Sequence, residues 1–289
     1  EFQAMGELEY YVIREDEGVF PADDQHGYHE STPFSKGNDF RMRSMQLIAE
    51  CGGKIKYGHS EVGNFVENGR CYEQNEIEFL PVPANECAEQ LLIAKWVIRS
   101  LGYEEGLDIT FAPKITVGKA GSGMHIHMRI MKDGKNMMLD NGKLSLDARK
   151  AIAGMMNLAE SITVEMRSPD ASADIYQLLA GLCVACRHGF EMANAEAEAE
   201  RTFADGDIHD PKNAERYATL AQLPDSCAAS ADCLERQRKV YEEYDVFSPA
   251  MIDGIIKQLR AFNDRTLRQE IEGKEMLMEK LVRQYYHCG

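Results

Sequence analysis

Four short segments of this chain alternate ionisable and apolar residues with a period of two. Each places ionisable side chains on both sides of one apolar residue: Glu7-Leu8-Glu9, Glu76-Ile77-Glu78, His125-Ile126-His127 and Glu165-Met166-Arg167. Because successive side chains in a strand point to opposite faces of a sheet, this pattern predicts four strands, each with one apolar and one ionisable face. A sheet built from them packs helices on its apolar face and gathers carboxylates and imidazoles on the other.

Apolar residues also recur at helical spacing, and capping residues mark the ends of the helices. The helices predicted in this way run from Asn38 to Gly52, from Asn85 to Leu101, from Ser145 to Ile162 and from Asp174 to Met192. Beyond Asp205 the chain is mainly helical, with Ser248-Pro249 as a cap. The predicted fold class is therefore α+β. We expect a sheet domain over residues 1–204 and a helical C-terminal region over residues 205–289 packed on it.

Two connections between the predicted helices and strands are unusual in composition or length. The polar stretch from Gly63 to Gln74 predicts a hairpin connection or a loop beside the site. By contrast, the helix that ends at Ile162 runs into the strand at Val164 without any Gly, Pro, Asn or Asp between them. A helix and a strand normally need a few loop residues to reverse direction. We therefore expect a segment of chain to be missing at this join.

The composition is that of a globular protein, since 44% of the 289 residues are apolar and 28% are charged. A net charge of −16 argues against a nucleic-acid-binding or anionic-membrane surface. No apolar run approaches the ~20 residues of a membrane-spanning helix. The eight cysteines lack the spacing of a disulfide framework, which indicates reduced thiols and a cytoplasmic location. Cys183 and Cys186 lie in an apolar helical run, which favours a buried helix face over a zinc or redox site.

The ionisable face of the sheet is the part that suggests chemistry. Carboxylates gathered on one surface repel one another and raise each other's pKa unless a cation lies among them. His125 and His127 alone would also suit a half-exposed edge strand, but the carboxylates on the other strands favour a divalent metal site. The turn Gly121-Ser122-Gly123 leads into the histidine strand and aims both imidazoles at that site.

The segments around the ionisable pairs form longer motifs that follow one another in order. They are Glu7-Leu8-Glu9-Tyr10-Tyr11, Glu61-Val62 with Gln74-Asn75-Glu76-Ile77, Gly121-Ser122-Gly123-Met124-His125-Ile126-His127, and Val164-Glu165-Met166-Arg167-Ser168-Pro169-Asp170. With these motifs, the chain resembles the catalytic domain of the glutamine synthetase family over about residues 6–192. The resemblance implies a glutamine synthetase/guanido kinase-like fold, in which a curved, mainly antiparallel sheet has a metal-lined face and carries helices on the other face.

The resemblance also implies two divalent metal sites. Their ligands would be Glu9, Glu61 and Glu76 at one site, and Glu7, His125 and Glu165 at the other. Oxygen ligands with one imidazole suit Mg²⁺ or Mn²⁺ rather than a closed zinc site.

Further roles follow from the same motif positions. His127 and Arg167 would contact the phosphates of ATP, and Arg167 and His125 would be the catalytic residues. Gly121 would contact the amino-acid substrate through its backbone. The reaction implied is transfer of the γ-phosphoryl group of ATP to the side-chain carboxylate of glutamate, followed by displacement of phosphate by ammonia. A ring-shaped homo-oligomer with sites between neighbouring subunits is also implied.

Several positions depart from the pattern of the family. Ala120 stands where the family has Asn, which removes a side-chain contact to the amino-acid substrate, and Arg129 stands where Ser or Thr is usual. The chain from Glu61 to Glu76 is longer than in the family, so Glu73 is an alternative metal ligand.

Two larger pieces of the family have no counterpart in the sequence. They are an N-terminal β-grasp domain, expected before Glu1, and an arginine-rich and flap segment, expected between Thr163 and Val164. We expect both in a longer chain, the alternative being a degenerate member of the family. Three functions thus stay open beside glutamine formation: a γ-glutamyl ligase for an organic amine, a non-catalytic metal-binding structural or regulatory protein, and a two-metal hydrolase.

Overall fold

The computed structural model describes residues 1–158, 167–203, 211–213 and 223–288, and a sheet built on the predicted strands is its main element. The chain divides into two compact units that interleave along the sequence. The first contains Glu1–Arg129, Glu165–Leu179 and Glu275–Gly289, and the second contains Ile130–Val164 and Ala180–Lys274. The sequence-based division differs, since it places a single boundary at residue 205.

The strands are β1 (Phe2–Glu15), β2 (Ile55–Glu67), β3 (Arg70–Phe79), β4 (Val82–Pro83), β5 (Asp108–Thr110), β6 (Met124–Lys132), β7 (Lys135–Asn136), β8 (Leu139–Asp140) and β9 (Lys143–Leu144). The α-helices of the described residues are α1 (Asn38–Glu50), α2 (Ala84–Glu105), α3 (Leu146–Asn157), α4 (Ile175–Glu191), α5 (Ala195–Arg201), α6 (Cys227–Glu242), α7 (Pro249–Ala261), α8 (Leu267–Ile271) and α9 (Glu275–Tyr285). Short 3₁₀ turns lie at Pro211–Asn213 and Glu243–Asp245.

Strand β1 lies inside the main sheet, where the strand order is β2-β3-β1-β6. It pairs antiparallel with β3, so that Glu7 lies opposite Glu78 and Glu9 lies opposite Glu76. The predicted α+β fold with a mainly antiparallel sheet is confirmed. Because a register shift of one residue would move every side chain to the other face, this pairing fixes which residues share the ionisable face.

The apolar face of the sheet is covered by helices, as predicted. The apolar residues between the ionisable pairs, Leu8, Ile77 and Ile126, are fully buried. Helix α2 contacts β1, and its Leu91 side chain lies where a Cβ on Gly6 would be. Burial of each large apolar side chain stabilises the fold by about 1.5–3 kcal/mol, so this face anchors the strands from behind.

The hairpin of β2 and β3 is the first of the two alternatives predicted for the stretch from Gly63 to Gln74. This stretch is not a loop beside the site, because β2 continues to Glu67 and β3 begins at Arg70. The turn between them is Asn68-Gly69, with φ angles of 52° and 74°, as two-residue hairpin turns require. Polar residues made this stretch resemble a loop, although Asn-Gly between two runs of alternating residues is itself a hairpin signal.

Other predicted boundaries are mostly confirmed. Ser145 and Ser248 cap α3 and α7, each accepting a hydrogen bond from a backbone N–H of the first turn. Helix α2 does not end before Gly102 but continues to Glu105, and Gly106 adopts a φ of 69° after its end. Gly102 packs against Ile109, where a side chain would not fit. Helix α3 ends at Asn157, before the predicted end at Ile162, and Ile162 itself lies outside the described residues.

The second unit is built from helices. Helix α3 and helix α4 approach each other so closely at Gly154 and Gly189 that neither position has room for a Cβ. Cys183 and Cys186 lie in α4 as free thiols, as predicted. Within the described ranges, no helix combines the length and apolarity that crossing a membrane requires.

Candidate metal centre

Three neighbouring strands bring ionisable side chains together on the polar face of the sheet. The pairing of β1 with β3 sets Glu9 beside Glu76, and β6 adds His125 on the other side of β1. His125 Nδ1 lies 3.0 Å from Glu7 Oε2, and His125 Nε2 lies 3.7 Å from Glu9 Oε1. His127 Nε2 lies 2.6 Å from Glu7 Oε1. The i, i+2 spacing read from the sequence thus produces one continuous cluster.

Most of the predicted ligands converge on one cavity of about 420 Å³. Its lining residues are Glu7, Glu9, Tyr28, His59, Glu61, Val62, Glu76, Glu78, His125 and Arg167. Five of the six predicted metal ligands are therefore together, and the predicted catalytic residue Arg167 is with them. The sixth predicted ligand, Glu165, lies outside the described residues.

A second cavity, of about 460 Å³, shares part of this lining and adds the glycine turn. Gly121 lines it, as do Ala120 and Asp170. The backbone predicted to contact the amino-acid substrate thus borders a cavity that also contains Glu9 and Arg167.

The structure groups the donor atoms differently from the resemblance. Among the residues that the structure describes, two groups of three have donor atoms that all lie within 4.8 Å of one another: Glu7, Glu76 and His125, and His59, Glu61 and Glu76. Glu76 belongs to both groups, and His59 appears as a member that the sequence analysis missed. The sequence carried a signal for it, because His59-Ser60-Glu61 is one more ionisable pair at i and i+2.

Glu73, the alternative ligand, does not reach this cluster. Residues 73 and 76 differ by an odd number along β3, so their side chains leave opposite faces of the strand. Glu73 Oε2 lies 3.5 Å from Arg14 Nη2, and Glu73 Oε1 accepts a hydrogen bond of 2.7 Å from the backbone N–H of Lys36. Glu76 is therefore the residue of this pair that faces the candidate centre.

Burial and mutual repulsion dominate the electrostatics of the cluster. Burial, reinforced by the carboxylates of Glu9, Glu7, Glu61 and Glu78, raises the pKa of Glu76 to about 9. Burial also raises the pKa of Glu9, against the opposing effects of the Gly123 backbone N–H and His125. For Glu7, burial is outweighed by hydrogen bonds with His125 and His127, which hold its pKa below the usual range.

This donor set fits a divalent cation. Burial and neighbouring carboxylates disfavour negative charge on Glu9 and Glu76, and a divalent cation among them would offset both effects. Carboxylate oxygens with imidazole nitrogens are ligands for Mn²⁺, and the oxygens alone for Mg²⁺. Without such an ion, the raised pKa of Glu76 keeps its carboxyl group protonated at neutral pH.

Gln74 connects the carboxylates to the glycine turn. Its side chain is 1% exposed, and its Nε2 donates hydrogen bonds of 2.8 Å both to Glu9 Oε2 and to the carbonyl of Gly121. Its Oε1 accepts a hydrogen bond of 3.0 Å from the backbone N–H of Gly63. One buried amide thus fixes a candidate metal ligand, the turn beside it and the strand that carries Glu61.

The sequence profile of the family described as glutamine synthetase, catalytic domain, matches residues 2–164 and 160–278 of this chain. The two matched segments overlap at residues 160–164, around the join where the sequence predicts a missing segment.

The alignments between this chain and named relatives cover only part of each relative's length. The chain is 32% identical over 160 residues to a glutamine synthetase of Thermus thermophilus, covering 53% of this chain and 34% of that protein. It is 25% identical over 285 residues to a glutamine synthetase of Streptomyces coelicolor, covering 81% of this chain and 58% of that protein. In both comparisons the chain spans less than two thirds of the relative.

Solved structures share the fold. A glutamine synthetase of Plasmodium falciparum superposes with a TM-score of 0.71 at 15% identity, covering 93% of this chain and 73% of that one. A GmaS/ADP complex superposes with a TM-score of 0.73 at 17% identity, covering 94% and 72% of the two chains. At these identities, the likeness concerns the fold alone.

Replacing Gln74 by Leu is expected to weaken Mn²⁺ binding at least severalfold and to lower the free energy of unfolding by about 1–3 kcal/mol, because Glu9 and Gly63 lose buried hydrogen-bond partners. Titration calorimetry and urea unfolding measure the two effects. Gln90→Leu is the matched control, since Gln90 is also buried but bonds to the Lys54 backbone. Equal Mn²⁺ affinity in both variants would contradict the role given to Gln74.

The raised pKa of Glu76 predicts how stability depends on pH without divalent ions. The folded state holds this proton more tightly than the unfolded chain, so the free energy of unfolding should fall as pH rises from 4.5 to about 9. The slope contributed by this one group is at most about 1.4 kcal/mol per pH unit. Urea unfolding with a chelator at pH 6 and pH 8.5 measures it.

Glu76→Gln removes the titrating group and should flatten this pH profile. If the variant and the parent protein lost stability equally between the two pH values, another group would be responsible.

Proposed function

This chain belongs to the glutamine synthetase catalytic-domain family, and from that membership we propose that the whole protein is an ATP-dependent ligase joining ammonia to the side-chain carboxylate of glutamate. The single observation that supports this most is the cavity shared by Glu7, Glu9, Glu61, Glu76 and His125 with Arg167. Phosphoryl transfer needs fixed positive charge around the transferring group, and this cavity combines a guanidinium with a donor set for cations.

Glu7, Glu9, Glu61, Glu76 and His125 would hold Mg²⁺ or Mn²⁺, which would supply positive charge to offset that of the transferring phosphoryl group. Arg167, exposed and lining both cavities, would orient that group through its guanidinium. His127, which pairs with Glu7, would contact the phosphates from the side of β6.

The proposed reaction has two steps. In the first, an oxygen of the glutamate side-chain carboxylate attacks the γ-phosphorus of ATP, so that ADP leaves and γ-glutamyl phosphate forms. In the second, ammonia attacks the acyl carbon, inorganic phosphate leaves and the nitrogen loses a proton. The backbone of Gly121, held by Gln74, would position the amino acid beside the carboxylate cluster.

A second candidate is ligation of an organic amine to the same acyl phosphate. Tyr28 supports it, because its exposed ring lines the cavity together with Glu61 and Glu78. An aromatic face beside carboxylates suits an alkylammonium group, which gains from both the charge and the ring. Ala120 adds to this case, since it leaves the amino-acid side of the site without the amide that the family has there.

Phosphate release by the full-length protein with Mg²⁺ and ATP should require both glutamate and an amine, with ammonia used faster than methylamine or putrescine. Both ligase candidates require the two substrates, whereas a hydrolase would release phosphate without either and a non-catalytic member would release none. A clear preference for methylamine or putrescine would favour the second candidate.

Replacing Arg167 by Gln should lower kcat about 10²-fold while leaving Mn²⁺ affinity within about twofold, because the guanidinium acts on the transferring phosphoryl group. Arg43→Gln is the matched control, since Arg43 is exposed and pairs with Glu105 on α2. An unchanged kcat in the Arg167 variant would remove Arg167 from the proposed mechanism.

We also propose a ring-shaped homo-oligomer for the whole protein, as family membership implies. Light scattering should give a mass that is a whole multiple of the subunit mass at assay concentration. A strictly monomeric, active protein would exclude sites shared between subunits.

A further inference from the structure

We propose that His59 is a nitrogen ligand of the divalent ion held by Glu61 and Glu76, which extends the ligand set implied by the family. The inference rests on the metal centre of the proposed function but not on the substrates of the reaction. Family membership gives this position to carboxylates alone, so the imidazole changes which ions the centre prefers.

The backbone places His59 at the candidate centre. Strand β2 pairs with β3 so that His59 lies directly opposite Glu76. Its Nε2 lies 3.4 Å from Glu76 Oε2 and 3.9 Å from Glu78 Oε1. One donor atom each from His59, Glu61 and Glu76 lies within 4.8 Å of the others, a spread that one ion can bridge. His59 lines the cavity although its side chain is 7% exposed.

The hydrogen bond made by Nδ1 of the His59 ring leaves Nε2, the nitrogen that faces the cavity, available to bind a metal. Nδ1 lies 2.9 Å from the carbonyl oxygen of Ser60, to which it can only donate, and the proton of a neutral ring is therefore on Nδ1. Nε2 then presents its lone pair to the cavity, and within the described part of the chain it makes no hydrogen bond. A histidine that ligates a metal characteristically donates its other N–H to a carbonyl in this way.

Aromatic neighbours fix the direction of this lone pair. His29 stacks on one side of the His59 ring at 4.5 Å with an interplanar angle of 19°, and Tyr57 stacks at 5.4 Å and 27°. Tyr28 contacts the ring edge-on at 5.4 Å. The imidazole therefore cannot swing away without losing these contacts, so its Nε2 is preorganised toward Glu76.

A lone pair that faces carboxylate oxygens is repelled by them unless a positive charge lies between. One metal ion within reach of His59, Glu61 and Glu76 resolves this repulsion for all three donors at once. The two groups of donors would then be alike, each with one imidazole, and would share Glu76. Nitrogen ligation raises affinity along the series from Mn²⁺ toward Co²⁺ and Zn²⁺ relative to Mg²⁺.

Pulsed electron paramagnetic resonance of Mn²⁺ bound to full-length protein labelled with ¹⁵N-histidine tests the assignment directly. Two inequivalent imidazole nitrogens should couple to the bound Mn²⁺ in the parent protein. His59→Gln should leave one coupling and weaken Mn²⁺ binding about tenfold or more. His26→Gln is the matched control, since His26 is exposed, pairs with Asp23 and is none of the ring neighbours of His59 named above, and this variant should retain both couplings.

Two results would overturn the proposal: coupling to a single imidazole in the parent protein, or two couplings that survive in a folded His59→Gln variant. The parent spectrum needs no substitution, so a variant that fails to fold does not remove the test. Ligase activity is measured separately. Two couplings without ligase activity would support the His59 assignment and contradict the proposed function. Ligase activity with coupling to a single imidazole would support the proposed function and contradict the His59 assignment.

Discussion

Repulsion among buried carboxylates is the interaction that the rest of this structure has to accommodate. At about 4 Å, two like charges near a protein surface repel by roughly 4 kcal/mol, and Glu76 faces several carboxylates at once. The apolar face of the sheet holds the strands in place from behind, so the side chains cannot relieve this repulsion by moving apart. Protons, the nearby imidazoles, the Arg167 guanidinium and divalent cations can lower this repulsion, and all of them act on the same few carboxylate oxygens.

Positional accuracy at the centre comes from backbone pairing and buried amides rather than from charge. Opposed charges can pair in many geometries, but the register of β1 with β3 sets Glu9 against Glu76, and Gln74 then orients Glu9 through a directional hydrogen bond. The same amide fixes Gly121. A disturbance of the turn at Gly121 therefore reaches Glu9, a candidate metal ligand, through two hydrogen bonds of one side chain.

Sequence reasoning predicted the sheet and most of the cluster because alternation with a period of two maps directly onto the faces of strands. It left the stretch from Gly63 to Gln74 open between a hairpin connection and a loop, because its polar residues suit either, and the structure has the hairpin. His59 was missed although its spacing to Glu61 fits the pattern, since the value of that spacing appears only once strand pairing puts Glu76 opposite it. The grouping of donors around Glu76 depends on side-chain directions across three strands, which spacing along one strand does not encode.

The β2–β3 hairpin carries a register shift between Ser60 and Asn64, and Glu61 lies within it. Beyond the shift, β2 and β3 stay paired to the Asn68-Gly69 turn, and β3 also pairs with β1 as far as Arg70. Residues inserted in matched pairs at the tip of this hairpin, between Glu67 and Arg70, keep the facing of every side chain nearer the centre. The chain between Glu61 and Glu76 can therefore change length during evolution while the two carboxylates stay together. Distance along a sequence is consequently a poor criterion for recognising this centre in distant homologues.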